Sequence, residues 1–180
     1  MIVLGIDPGT AVTGYGVVSR ARDGLLSLVE CGVIRTSSRA PLATRLREIH
    51  NGVCEVVQRH RPDAVAVEGV FYGKNVRTAV VLGHARGAIM VAAALQNLDV
   101  AEYPPSEVKS AVVGAGRATK DQVGFMVQRL LRLREAPKPH DAADGVAVAL
   151  CHHFRAGGPA AGARLRVGGG GGMLTRPVTG

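Results

Sequence analysis

Residues 1–7 (MIVLGID) form a continuous apolar run that stops abruptly at Asp7-Pro8-Gly9-Thr10. An apolar run of that length, closed by Pro and Gly, reads as a buried strand entering a turn. It ends on a carboxylate, which cannot be buried unless a cation or hydrogen bonds meet it. Any fold for this chain must therefore place the end of its first strand where such partners are available.

The rest of the chain surrounds that strand with a recognisable order. Residues 14–19 (GYGVVS) and Leu26–Arg35 are β-rich and look like strands of a meander, with a turn at 20–24. Pro41 opens a helical stripe, Leu42, Leu46, Ile49, Val53 and Val56, which Arg61-Pro62-Asp63 stops. Residues 64–70 (AVAVEGV) read as another buried strand, and Asp99–Tyr103 as a short fifth one. A loop at 71–77 leads into a helix of small residues at 78–97. Further helices follow at 106–113, from a capping box at Thr119-Lys120-Asp121-Gln122 to about residue 134, and at 141–154. Strands joined by short turns pair antiparallel, whereas strands reached through helices return parallel. The expectation is an α/β domain with a mixed five-stranded sheet and helices on both faces.

With 180 residues, one domain is expected. From Arg155 onward the chain is rich in Gly, Ala and Pro, with four arginines, no acid and five consecutive glycines at 168–172. Nothing there can build a core, so the division is a folded domain at 1–155 and a flexible basic tail at 156–180. Half of the formal net charge of +8 lies from Arg155 onward, and the mildly basic remainder favours a polyanionic partner. The cysteines Cys31, Cys54 and Cys151 are far apart, form no CxxC pair and read as buried, reduced thiols of a cytoplasmic protein rather than a zinc site. No secretory signal is evident, and the apolar stretch at 91–95 is too short to span a membrane.

Four carboxylates carry the chemistry. Asp7 ends the first strand and Glu68 lies near the end of the fourth, which follows a crossover helix. If the two strands are neighbours and parallel, both acids reach the same sheet edge, outside the strand ends where such sheets gather ligands. Asp141 and Asp144 lie three apart at the start of the last helix, on one of its faces and near its positive end. Asp141 also reads as a simple helix-start acid, whereas Asp144 precedes a strongly apolar stretch. Clustered oxygen ligands suit hard cations such as Mg²⁺ or Mn²⁺, and two such ions can cleave a phosphodiester. His140 adjoins the cluster, as an auxiliary group or as an exposed loop residue. His152 and His153 read as ordinary surface.

The segments GIDPGTAVTGYGVV, AVEGVFYGKN, LGHARG, VKSAVVGAGRATKDQV and HDAADGVAVAL, in this order and spacing, resemble the RuvC family of Holliday junction resolvases over roughly residues 1–154. The resemblance implies an RNase H-like fold and a homodimer that nicks two opposed strands of a four-way DNA junction. It implies the four acidic roles for Asp7, Glu68, Asp141 and Asp144, two Mg²⁺ ions per site with Mn²⁺ as a substitute, and 5′-phosphate and 3′-hydroxyl ends. It also implies a branch-migration partner of the RuvA and RuvB kind. The chain departs from the family pattern around Gly69 and Tyr72-Gly73, and some relatives carry histidine at the position of Asp141.

For DNA contacts, the resemblance makes Phe71 the stacking candidate, and an exposed aromatic on a loop beside the acids can take an unpaired base. Lys74, Asn75 and Arg77 share that loop, and Lys109 and Lys120 flank the glycine turn GAGR. Lys120 stands at a helix start, where free backbone N–H groups already favour phosphate. Three other readings compete. A GIDPGT turn also opens the phosphate loop of actin-like ATPases and sugar kinases, although only one copy is present here. The acids of a junction-binding scaffold can be inert, and a nuclease of this fold can cut RNA–DNA hybrids or flaps.

Overall fold

The computed structural model describes residues 1–69 and 76–156. Phe71, Tyr72, Lys74, Asn75 and the tail from 157 onward lie outside the described residues. The elements are β1 (Ile2–Asp7), β2 (Val12–Arg20), β3 (Leu26–Arg35), α1 (Leu42–His60), β4 (Ala64–Glu68), α2 (Val76–Ala94), β5 (Asp99–Tyr103), α3 (Pro105–Val113), α4 (Lys120–Leu130) and α5 (His140–Ala156). The strands form one sheet in the order β3-β2-β1-β4-β5. β1–β2 and β2–β3 pair antiparallel, and β1–β4 and β4–β5 pair parallel, as the connections predict.

Side-chain alternation along the strands divides the core into two layers. Leu4, Ile6, Val17, Val65 and Val67 point to the side covered by α1 and α2, where they meet Ile49, Val53, Ala85 and Ile89. Val3, Val18 and Ala66 point to the other side, against Val146 and Leu150 of α5 and Val123 and Val127 of α4. By the same period of two, Asp7 and Glu68 continue the rows of Val3 and Ala66, toward α5.

α5 lies on the sheet with almost nothing between the two backbones. A Cβ built on Gly14 would stand 1.8 Å from the Asp141 carbonyl oxygen, and one on Gly145 would stand 2.5 Å from Tyr15 Cα. Neither obstacle is the free end of a side chain, so neither can give way cheaply. Glycine on both sides of the contact is what allows the helix to sit at this depth.

Several local expectations change. α4 ends at Leu130 rather than near 134, because Arg132 takes a left-handed conformation (φ 53°) and the Leu133 N–H folds back to the Gln128 carbonyl. α2 runs Val76–Ala94, earlier at both ends than expected. His153 is not a surface residue: it is 0% exposed and its Nε2 bonds the Val18 carbonyl at 3.0 Å. His152 bonds the Tyr103 hydroxyl at 3.0 Å. Cys151 is buried, but Cys31 and Cys54 are only partly so. α2 is also longer than the apolar stretch at 91–95: among the described residues it is the one helix long and apolar enough to cross a membrane by length and composition. Here Ala85, Ile89, Ala92 and Ala93 pack one of its sides into the core, as a core helix would.

Gly14→Ala should cost about 3 kcal/mol or more, because the added methyl meets backbone rather than a movable side chain. Urea denaturation checks this. A variant as stable as the parent would show that α5 can lift from the sheet at no cost.

Candidate active site

The parallel pairing of β1 with β4 brings the first two acids together. Ile6 is in register with Val67, so the next residues, Asp7 and Glu68, end neighbouring strands at the same edge. α5 starts above that edge. The Gly14 contact fixes its first turn, and the spacing of three turns Asp141 and Asp144 to the same side. Oxygens of Asp7, Asp141 and Asp144 thereby come within 4.8 Å of one another, a group able to hold a metal ion. Glu68 joins through a hydrogen bond with Asp7.

Bringing like charges into a half-buried corner is unfavourable, and the carboxyl groups respond by holding protons. Burial, Asp7's charge and the hydrogen bond between them push Glu68 up to about 8, with Lys109 on α3 opposing. Burial also raises Asp7, to about 6; the Glu68 hydrogen bond and Lys120 oppose this, and Asp144 and Asp141 reinforce it. The pair thus holds a proton near neutrality. Desolvation is the leading cause for both groups, so burial more than mutual repulsion makes them hold protons.

Lys120 supplies one cation. Its Nζ lies 2.6 Å from Asp144 Oδ2 and 3.7 Å from Asp141 Oδ1. Asp144 in turn pushes the Lys120 amine up. The backbone position is set by the capping box expected from the sequence: the Gln122 N–H donates to Thr119 Oγ1 and the Thr119 N–H to Gln122 Oε1. The sequence marks Lys120 only as a DNA contact. Its reach to the acids depends on where α4 packs against α5, which no local pattern encodes. Arg77 is exposed in the first turn of α2 and Lys109 is partly exposed on α3. His140 is exposed as the first residue of α5, not in a loop, and the metal-competent group forms without it.

The raised carboxyl groups make a stability prediction. A carboxyl whose folded pKa lies above its unfolded value binds more protons in the native state, so its contribution is full below the unfolded pKa and is lost as pH rises through the folded one. In metal-free buffer the melting temperature should fall between about pH 4.5 and 8, the window of Glu68. Glu68→Gln should recover stability on the order of a few kcal/mol at pH 8 and little at pH 4.5. Equal effects of the substitution at both pH values would refute the shared proton.

Comparison with known proteins completes the picture. The family model described as crossover junction endodeoxyribonuclease RuvC matches residues 3–152. A crossover junction endodeoxyribonuclease RuvC from Pelotomaculum thermopropionicum is 51% identical over 152 residues, covering 84% of this chain and 92% of that protein. The structure of Thermus thermophilus RuvC superposes with a TM-score of 0.79 at 42% identity, covering 87% of this chain and 95% of that one. Thermus thermophilus RuvC in complex with Holliday junction substrate gives 0.78 at 40% identity, with the same coverage. The sheet, its α/β layering and the match over nearly the whole domain agree on one conclusion: the chain belongs to the crossover junction endodeoxyribonuclease RuvC family, whose fold is RNase H-like.

Proposed function

We propose that this protein is a metal-dependent endonuclease that resolves four-way DNA junctions in recombination and repair, with Asp7, Glu68, Asp141 and Asp144 as its catalytic and metal-holding residues. The observation that carries this reading is the convergence of acids from β1 and α5 to within 4.8 Å, with Glu68 of β4 hydrogen-bonded to one of them, in a chain of the RuvC family. The donor set is made of carboxylates alone. Such oxygens suit Mg²⁺, with Mn²⁺ as a substitute, and disfavour a thiolate- or imidazole-bound zinc. Two ions, when bound, would supply an acidified water for attack on phosphorus and charge to offset the leaving 3′ oxygen.

The chain's own residues do the rest. Asp7 and Glu68 give up their shared proton to become ligands, so ion binding should release protons. The first turn of α5 sets its positive end beside Asp141 and Asp144, where the helix dipole favours negative charge. Lys109 and Lys120, whose charges reach the acids, and Arg77 in the first turn of α2 are proposed to take phosphates, together with Lys74 and Asn75, while Phe71 stacks on an unpaired base. Phosphate contacts position DNA without reading its sequence, so junction binding should weaken steeply with salt. The products are 5′-phosphate and 3′-hydroxyl ends. His140 is kept as an auxiliary group. The domain spans 1–155 and is followed by a basic tail at 156–180, and the protein works in the cytoplasm beside a RuvA–RuvB type motor.

Two equivalent strands call for two equivalent sites, and α2 offers a surface to pair them. Val76 (73% exposed), Val80 (54%) and Val91 (53%) share one side of the helix with Gly83 and Gly87. A Cβ added at either glycine meets nothing within 4 Å. An open apolar stripe with small residues at its centre admits close approach of a second helix, and in a two-fold dimer the same stripe serves both partners.

Nicking of a mobile four-way junction and of a matched linear duplex, with and without Mg²⁺, tests the activity. Paired nicks confined to the junction are expected, with Asp7→Asn losing at least about 10³-fold in rate while still binding. Junction binding without metal-dependent nicking in the parent would favour a scaffold instead. For the dimer, Val80→Asp with Val91→Asp should yield monomers in sedimentation at concentrations where the parent is dimeric. A variant that still dimerises would place the interface elsewhere.

A further inference from the structure

The acid cluster already holds a cation belonging to the chain. Lys120 Nζ contacts Asp144 at 2.6 Å and Asp141 at 3.7 Å, and these are two of the three groups whose oxygens converge. Its charge is also felt by the third, Asp7. The ammonium therefore stands against two of the same carboxyl groups that a divalent ion needs. Carboxylate oxygens can accept more than one partner, but two cations on the same few oxygens lie only a few ångström apart and repel.

The lysine is also free to leave. Its backbone is fixed at the first residue of α4 by the Thr119–Gln122 capping box, so no helix has to move. Its side chain is 61% exposed and has a flexible stem whose ammonium is readily hydrated. Asp144, by contrast, is only 18% exposed on its side chain and remains in the corner.

We propose that Lys120 is the resident counter-cation of the metal site, occupying it in the metal-free enzyme and yielding its place when a divalent ion binds. The acids then stay together without metal, at the expense of metal affinity. The displaced ammonium becomes available to a DNA phosphate only once the ion has arrived, which couples the two binding events. This inference rests on the acid cluster being the ion site.

Calorimetric titration of Mn²⁺ into the parent, Lys120→Met and Asp7→Asn at pH 8 tests it. Methionine keeps the stem and removes the charge. Lys120→Met should bind Mn²⁺ roughly fivefold more tightly, the upper range for a largely exposed ion pair. In EDTA it should melt below the parent, and Mn²⁺ should raise its melting temperature by more. Unchanged or weaker Mn²⁺ binding by Lys120→Met, with the parent binding normally, overturns the proposal; Lys120→Gln gives the same reading if the methionine variant does not fold. If the parent binds no Mn²⁺, or Asp7→Asn binds it equally well, the acid cluster itself is not the ion site and the counter-cation reading falls with it.

Discussion

Backbone contact between α5 and the β1–β2 hairpin is the constraint on which the rest of the site depends. Gly14 and Gly145 remove the side chains that would hold the helix away from the sheet. With the helix at that depth, the start of α5 lies over the end of β1, and the distance from Asp141 and Asp144 to Asp7 is decided by backbone packing rather than by flexible side chains. Sites built on regular elements hold their geometry more closely than sites built on loops. Here three of the four acids stand on a strand end and a helix start that are pressed together.

That geometry has an electrostatic consequence. Four carboxyl groups in one half-buried corner repel one another and lose hydration, so the metal-free protein compensates with a shared proton between Asp7 and Glu68 and with the Lys120 ammonium. Desolvation outweighs the neighbouring charges as the leading cause for both raised groups. Mutual repulsion adds to a cost that burial has already imposed. A site of this kind is least comfortable when empty at high pH, which is also the state in which it most strongly attracts a divalent cation.

α2 shows how one helix can serve two purposes. Ala85, Ile89, Ala92 and Ala93 close the core over β1 and β4, while Val76, Val80 and Val91 remain in the open on another side. Apolar residues on both sides give the helix a hydropathy close to that of a membrane span, but its packing ties it to the sheet that carries Asp7 and Glu68. The same sheet that positions the acids thus also positions the surface proposed to pair two copies.

The sequence by itself determined the elements whose signals are local. The apolar run ending at Asp7, the crossover that makes β4 parallel to β1, the spacing of Asp141 and Asp144, and the Thr119–Gln122 capping box all follow from residues close together in the chain. It also carried the family resemblance, because ordered motifs survive without knowledge of their contacts. Only the tertiary structure decided the depth at which α5 sits, the burial of His153 against Val18, the early end of α4 and the reach of Lys120 to Asp144. Each of these depends on which distant segment lies a few ångström away. A glycine, a histidine or a lysine reads the same in sequence whether it faces water or another backbone, and packing is what distinguishes the two.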